Sequence, residues 1–151
     1  MSTDARPPLQ SILFACSLNS VRSPMAEGVA KQILGRRVYI DSAGLKKTPR
    51  DPFTLAALRE IGIEFADDDP HTIAEVNFES FDLVVTLSQE ARDHIGNLAR
   101  ASAVELVHWP IDDPSLSEGS REARLQVYRG VRDRLAALVR EQLAPRVRRT
   151  P

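Results

Sequence analysis

SILFACSLNSVRSPMAEGVAKQIL, residues 11–34, is the stretch on which the reading of the whole chain turns. Ile12, Leu13, Phe14 and Ala15 are all apolar, as in a short strand covered on both faces. The run ends on Cys16, the only cysteine in the chain. Arg22, Ser23 and Pro24 follow, and Pro24 to Leu34 reads as a helix, with Pro in its first turn, Ser23 placed to cap it and Gly35 to end it. Between strand and helix lies the loop CSLNSVRS. Backbone N–H groups converge in such a loop, and the helix N-terminus adds partial positive charge. Arg22 brings a planar, two-pronged donor for a tetrahedral oxyanion. The result is an anion cradle, lined by Ser17, Leu18, Asn19, Ser20, Val21, Arg22 and Ser23, with a thiol at its base. The same field favours the thiolate, Ser23 can donate its hydroxyl to the sulfur, and Asn19 tolerates a left-handed backbone in the tight loop.

Outward from this stretch, strand and helix patterns alternate. Arg37 to Asp41, Phe81 to Leu87 and Val104 to Trp109 read as strands. Pro52 to Ile61, Thr72 to Val76, Gln89 to Ile95 and Ser120 to Leu143 read as helices, the last with arginines along its solvent face. Alternation implies parallel pairing through right-handed crossovers. The predicted fold is α/β: a small, doubly wound, four-stranded parallel sheet with helices on both faces and the phosphate-binding loop after strand one. In such sheets the ligand sits beyond the carboxyl ends of the strands, which is where Cys16 falls. With 151 residues, the chain is sized for one domain. Residues 11–144 are expected to form it, with flexible tails at 1–10 and 145–151.

The bulk numbers exclude several classes. Hydrophobic residues make up 42% and charged residues 27%, and the formal net charge is −1, which gives no argument for a nucleic-acid partner. No apolar run approaches the roughly 18 residues a membrane span needs. The opening MSTDARPPLQ is polar and unlike a secretory leader. A single cysteine forbids an intramolecular disulfide and fits a reducing cytoplasm. His71, His94 and His108 form no metal-ligand spacing with one another or with Cys16. Asp67-Asp68-Asp69 before Pro70 reads as a turn, and Trp109 as a packing residue.

A thiolate facing a bound oxyanion can attack its central atom. On a phosphate monoester this gives a phosphocysteine, and the leaving oxygen then needs a proton. HWPIDDP, residues 108–114, supplies a carboxylic acid directly after the fourth strand; Asp113 is the candidate, stiffened by Pro114, with Asp112 next in line. Taken singly, these features are ordinary: a cysteine at a strand end is commonly a small buried hydrophobe, and Asp-Pro commonly a turn.

Taken together, CSLNSVRS, VRSPMAEG, DSAG at 41–44, FDLVVTL and Asp113-Pro114 resemble the low-molecular-weight protein tyrosine phosphatases and the thioredoxin-linked arsenate reductases, which share one fold. The resemblance implies Cys16 as nucleophile, Arg22 as oxyanion ligand, Ser23 as thiolate support, Asn19 as loop organiser and Asp113 as general acid, with no metal and no organic cofactor. It departs from the pattern where Leu18 replaces a glycine and Val21 a second cysteine. Ser88 stands where the reductases carry resolving cysteines, and Ser115 and Leu116 stand where the phosphatases carry tyrosines. Phosphomonoester hydrolysis of the protein tyrosine phosphatase type is therefore the first expectation, on a phosphorylated protein or small phosphomonoester. The alternatives are a single-cysteine arsenate reductase using an external thiol, and a phosphate-binding module with little turnover.

Overall fold

Four parallel strands, β1 (Ser11–Cys16), β2 (Tyr39–Gly44), β3 (Leu83–Thr86) and β4 (Glu105–His108), form one sheet in the order β2-β1-β3-β4. This computed structural model describes residues 6–65, 70–100 and 102–147. The Asp67–Asp69 turn and the outermost residues of both expected tails lie outside the described residues. The helices are α1 (Arg22–Leu34), α2 (Pro52–Arg59), α3 (Gln89–Leu98) and α4 (Arg121–Leu138), and α4 continues through a wider turn at Val139–Leu143.

Alternation along β1 builds two cores. Ile12, Phe14 and Cys16 face α1, α2 and α4, together with Met25, Leu58, Tyr128 and Leu135. Leu13 and Ala15 face the opposite side, with Ile95 of α3 and Phe78 and Phe81 ahead of β3. The fold class is the predicted one. The sheet order reverses direction between β1 and β3, and a crevice opens there beyond the strand ends. Register sets Cys16 beside Gly44, Ala15 beside Thr86 and Thr86 beside His108, so one end of the sheet gathers the chemistry. Among the described residues, no helix is long and apolar enough to cross a membrane.

Several boundaries differ from expectation, each for a physical reason. β2 runs on through Asp41 and Ser42 to Gly44, because the Ser42 hydroxyl has a buried partner in Glu27. Thr72–Val76 is not a helix: Gly44 and Thr72 form a bridge, and the Thr72 hydroxyl caps a turn at Glu75. Ser23 is not the cap of α1; the helix begins at Arg22 without a side-chain cap, which leaves the Ser23 hydroxyl for the sulfur. The arginines of α4 do not all face water. Arg132 is buried, donating to the Ala57 carbonyl and to Glu60, while Arg129 grips the same Glu60 through Nε and Nη2. These bonds hold the Glu60 carboxyl down to about 2, the contact with Arg129 being the largest cause. Both expected tails take part in the packing: Leu9 and Val147 are buried and bridged, and Arg146 grips Glu105 with both terminal nitrogens.

Candidate active site

The loop Ser17–Val21 folds between β1 and α1 with one left-handed residue, Asn19, at φ 52°. Leu18 needs no glycine conformation. It points outward and is 43% exposed, so its side chain forms part of the rim rather than filling the cradle. The loop is pinned from below by the segment after β2. The amides of Leu45, Lys46 and Thr48 donate to the carbonyls of Cys16, Ser17 and Leu18 at 3.1, 3.0 and 3.2 Å. Gly44 permits this approach: a Cβ there would lie 2.5 Å from the Asn19 nitrogen and 2.5 Å from the Lys46 oxygen.

A buried polar chain runs behind the cradle. Asn19 Nδ2 donates to the hydroxyls of Ser23 and Ser42, each at 2.9 Å, and Asn19 Oδ1 accepts the His71 amide at 2.8 Å. The Ser42 hydroxyl donates to Glu27 Oε1 at 2.5 Å, and Lys31 closes on Glu27 Oε2 at 2.6 Å. Ser23 Oγ, which accepts from Asn19, shares a 2.9 Å hydrogen bond with Cys16 Sγ and lies 3.5 Å from the Ala43 carbonyl, to which it can donate. The thiol is buried and free of any disulfide.

Opposite the thiol stands the loop after β4. Arg22 Nη1 donates to the Ile111 carbonyl at 3.0 Å, and Nη2 lies 4.0 Å from Asp113 Oδ2. Asp113 Oδ1 accepts the Ser115 amide at 2.9 Å, capping the turn Pro114–Leu116 and leaving Oδ2 toward the cavity. Cys16, Arg22 and Asp113 thus line one open cavity of about 860 Å³. Ser17, Leu18, Ser20 and Val21 line it too, while Asn19 and Ser23 sit behind it as buried supports. Asp112 also reaches the cavity. Trp109 does not: it is buried against Phe14 and donates to Gln142. Apart from the His108 imidazole, no aromatic side chain is among the described residues lining this cavity; its apolar rim includes Leu18, Leu45 and Leu116.

Asp51, at the site, was not singled out from sequence, and Ser88 and His108 acquire partners there. Asp51 caps α2, donates its amide to the Ser20 carbonyl at 3.1 Å and accepts the Tyr128 hydroxyl at 3.0 Å. Burial, reinforced by the Asp51 charge, pushes the Tyr128 phenol well above its ordinary value. Ser88, considered only as the place of a missing cysteine, caps α3 and accepts the Ser17 hydroxyl at 3.1 Å. His108 lines the cavity and shares a 2.8 Å hydrogen bond with Thr86. Burial, helped by the Arg92 charge, lowers its affinity for a proton. Asp51 was hidden because a cap signal says nothing about what lies beyond the cap.

The parallel sheet thus sets a thiol at the base of a strand–loop–helix cradle, with a carboxylate from the loop after β4 facing it. The chain belongs to the family described as low molecular weight phosphotyrosine protein phosphatase, whose model matches residues 11–150. It is similar to an arsenate reductase of Halalkalibacterium halodurans, 39% identical over 129 residues, covering 85% of this chain and 91% of the relative. Among solved structures it is similar to an arsenate reductase in the phosphate-binding state, with a TM-score of 0.72 at 25% identity, covering 91% of this chain and 99% of the other. It is also similar to a YwlE arginine phosphatase mutant with a phosphorylated active-site serine, with a TM-score of 0.71 at 26% identity, covering 87% and 92%.

Proposed function

We propose that this enzyme reduces arsenate with a single cysteine and an external thiol. The observation that carries the reading is the cavity around the thiol. It offers a cradle for a tetrahedral oxyanion and only aliphatic or polar walls, with far more room, about 860 Å³, than one oxyanion fills. That room suits a co-substrate. An aryl ester would find no phenyl, phenol or indole ring to stack on. The similarity to proteins named arsenate reductase supports the same choice. The weight thus moves from hydrolysis, the first expectation, to its alternative.

In this reading the Cys16 thiolate attacks arsenic. A sulfur–arsenic bond forms, an arsenic–oxygen bond breaks, and Asp113 gives the departing oxygen its proton, so that water leaves. Arg22 and the loop amides hold the remaining oxygens. An external thiolate then attacks Cys16 Sγ. A disulfide forms, the sulfur–arsenic bond breaks, and its electron pair stays on arsenic, which departs as arsenite. A second external thiol frees Cys16 as thiol and leaves as the oxidised disulfide. No internal relay can replace the external thiol, because Cys16 is the only cysteine. The need for a thiol pool places the protein in the cytoplasm.

A second reading, phosphomonoester hydrolysis through a phosphocysteine, is favoured by Asp113 Oδ2 facing the cavity 4.0 Å from Arg22, where an acid is useful to a leaving alcohol. The experiment runs both assays on one preparation: arsenate reduction with thioredoxin, glutathione and mycothiol systems, and aryl phosphate hydrolysis across pH 4.5 to 8. Wild type is compared with Cys16→Ser and Asp113→Ala. Reduction that needs an added thiol and vanishes in Cys16→Ser supports the proposal. Hydrolysis without reduction, lost in Cys16→Ser and weakened for poor leaving groups in Asp113→Ala, transfers it to the second reading. Phosphate binding with neither turnover leaves a binding module.

A further inference from the structure

Behind His108 lies a second cavity, of about 430 Å³, between α3 and the edge strand β4. It lies within the range of small-molecule sites, which run from about 300 to 1,000 Å³. Its strand wall is Leu106, Val107 and His108, and its helix wall carries Arg92, Asn97 and Arg100. Gly96 stands between the two arginines, and a Cβ there would meet nothing within 4 Å, so the helix presents a notch rather than a ridge. Neither guanidinium has an ion pair or a side-chain hydrogen bond to a described residue, and the one carboxylate lining the cavity, Asp93, accepts from Gln89 at 2.9 Å and leaves the arginines in the majority. Two unspent, always-charged forks thus share one hollow with an amide and with the partly exposed Leu106. Such forks match the oxygens of a phosphate, and the apolar strand wall suits an organic body.

We propose that this cleft binds a small organic phosphate and that its occupancy changes the affinity of the cradle for its oxyanion. The phosphate pairs with Arg92 and Arg100 while the body lies along Leu106 and Val107. His108 is the link, since it lines both cavities. From it the backbone runs through Trp109 and Pro110 to Ile111, whose carbonyl holds Arg22 at 3.0 Å, and on to Asp113. A ligand drawn between α3 and β4 displaces His108 and shifts that segment. The inference does not depend on whether the cradle serves reduction or hydrolysis.

The test uses glucose 6-phosphate as probe, followed by amide chemical-shift titration of the full chain. Arg22→Ala serves as the background in which binding at the cradle is weakened. Shifts at Gly96, Asn97 and Val107 are expected, weakened at least tenfold when Arg92→Ala and Arg100→Ala are added. The charge-preserving pair Arg92→Lys and Arg100→Lys should fall between. Shifts confined to residues 17–23, or a cleft titration unmoved by the alanine pair, overturn the site. For coupling, inorganic phosphate affinity at the cradle is measured with and without the probe, in wild type and in the alanine pair with Arg22 intact. Competition at the cradle itself survives in that pair, so the part of the response that it loses belongs to the cleft. An identical response in both proteins overturns the coupling. An unchanged phosphate affinity without probe, and an unchanged melting temperature, show that the alanine pair is folded.

Discussion

Replacing Gly44 by alanine tests whether the cradle is shaped from beneath. Gly44 ends β2 beside Cys16, and its φ is not in the left-handed region, so backbone freedom is not why a glycine stands there. Closeness is the reason. A Cβ would sit 2.5 Å from the Asn19 nitrogen, 2.5 Å from the Lys46 oxygen and 2.7 Å from the Leu18 carbonyl carbon. An ordinary contact begins at 3.4 Å, so the gap must open by 3.4 − 2.5, or 0.9 Å. All three neighbours are main-chain atoms, and none can swing away as a side chain would. The Leu45, Lys46 and Thr48 amides tie the two segments together, so the cradle itself must move. A misplacement of about 1 Å at reacting groups costs about 100-fold in rate, or about 2.7 kcal/mol. The assay is kcat/KM in whichever reaction the enzyme supports, with oxyanion affinity measured beside it. Gly130→Ala is the control: an added Cβ meets nothing within 4 Å there, and alanine in a helix interior stabilises by about 0.5–1 kcal/mol. A Gly44→Ala enzyme within threefold of wild type in kcat/KM, with unchanged phosphate affinity, would refute the reasoning.

Three further outcomes follow from the same geometry. Glu60 is held down to about 2 from 4.5, so its contribution to stability is present above about pH 4.5 and is lost as pH falls toward 2. Melting curves should therefore drop more steeply over that window in wild type than in Glu60→Gln; parallel curves would remove Glu60 from the acid response. Tyr128→Phe deletes the bond to Asp51 Oδ2 and should cost about 1.5–3 kcal/mol in urea unfolding, the range for hydrogen bonds to charged groups. It should also lower kcat/KM, because Asp51 reaches the cradle through Ser20; an unchanged midpoint would contradict this. Ending the chain at Ala144 uncovers Leu9 and frees Glu105 from Arg146, and should cost about 2–4 kcal/mol from apolar burial alone, read by the same titration.

Much of this was legible in the sequence because it rests on local patterns. The apolar run to Cys16, the helix after Arg22 and the Asp-Pro pair after β4 each carry their own signal, and the alternation of elements fixes how they pack. What was not legible depends on partners far along the chain. The Ser42 hydroxyl belongs in a strand only because Glu27, from α1, meets it. Arg132 looks like a surface residue on its own helix and is buried because Glu60 and the Ala57 carbonyl wait on α2. Leu9 and Val147 looked like tail residues because each needs the other to leave water. Ser23 looked like a cap, and its hydroxyl instead meets Cys16 Sγ at 2.9 Å.

Leu18 raised the sharpest question in the sequence, and its position bears on the chemistry. A glycine would matter there only if the loop needed a left-handed residue at 18; Asn19 takes that conformation instead. Asn19 is locked by two donated hydrogen bonds and one accepted, all buried, so the turn is held by side-chain bonding rather than by chain freedom. The side chain of residue 18 is then free to serve the rim. With Leu45 and Leu116 it replaces stacking surface by aliphatic surface. Aliphatic walls give a flat ring little orientation, while the cradle's grip on a bare oxyanion is undiminished. On the proposed function, the same residues that deny an aryl ester a stacking surface leave the contacts for an oxyanion in place, and selectivity should pass from the ester's organic group to the oxyanion itself. Leu18→Gly should accordingly leave inorganic phosphate affinity within about twofold while changing KM for the larger co-substrate. Loss of phosphate binding in that variant would show that Leu18, and not Asn19, sets the shape of the cradle.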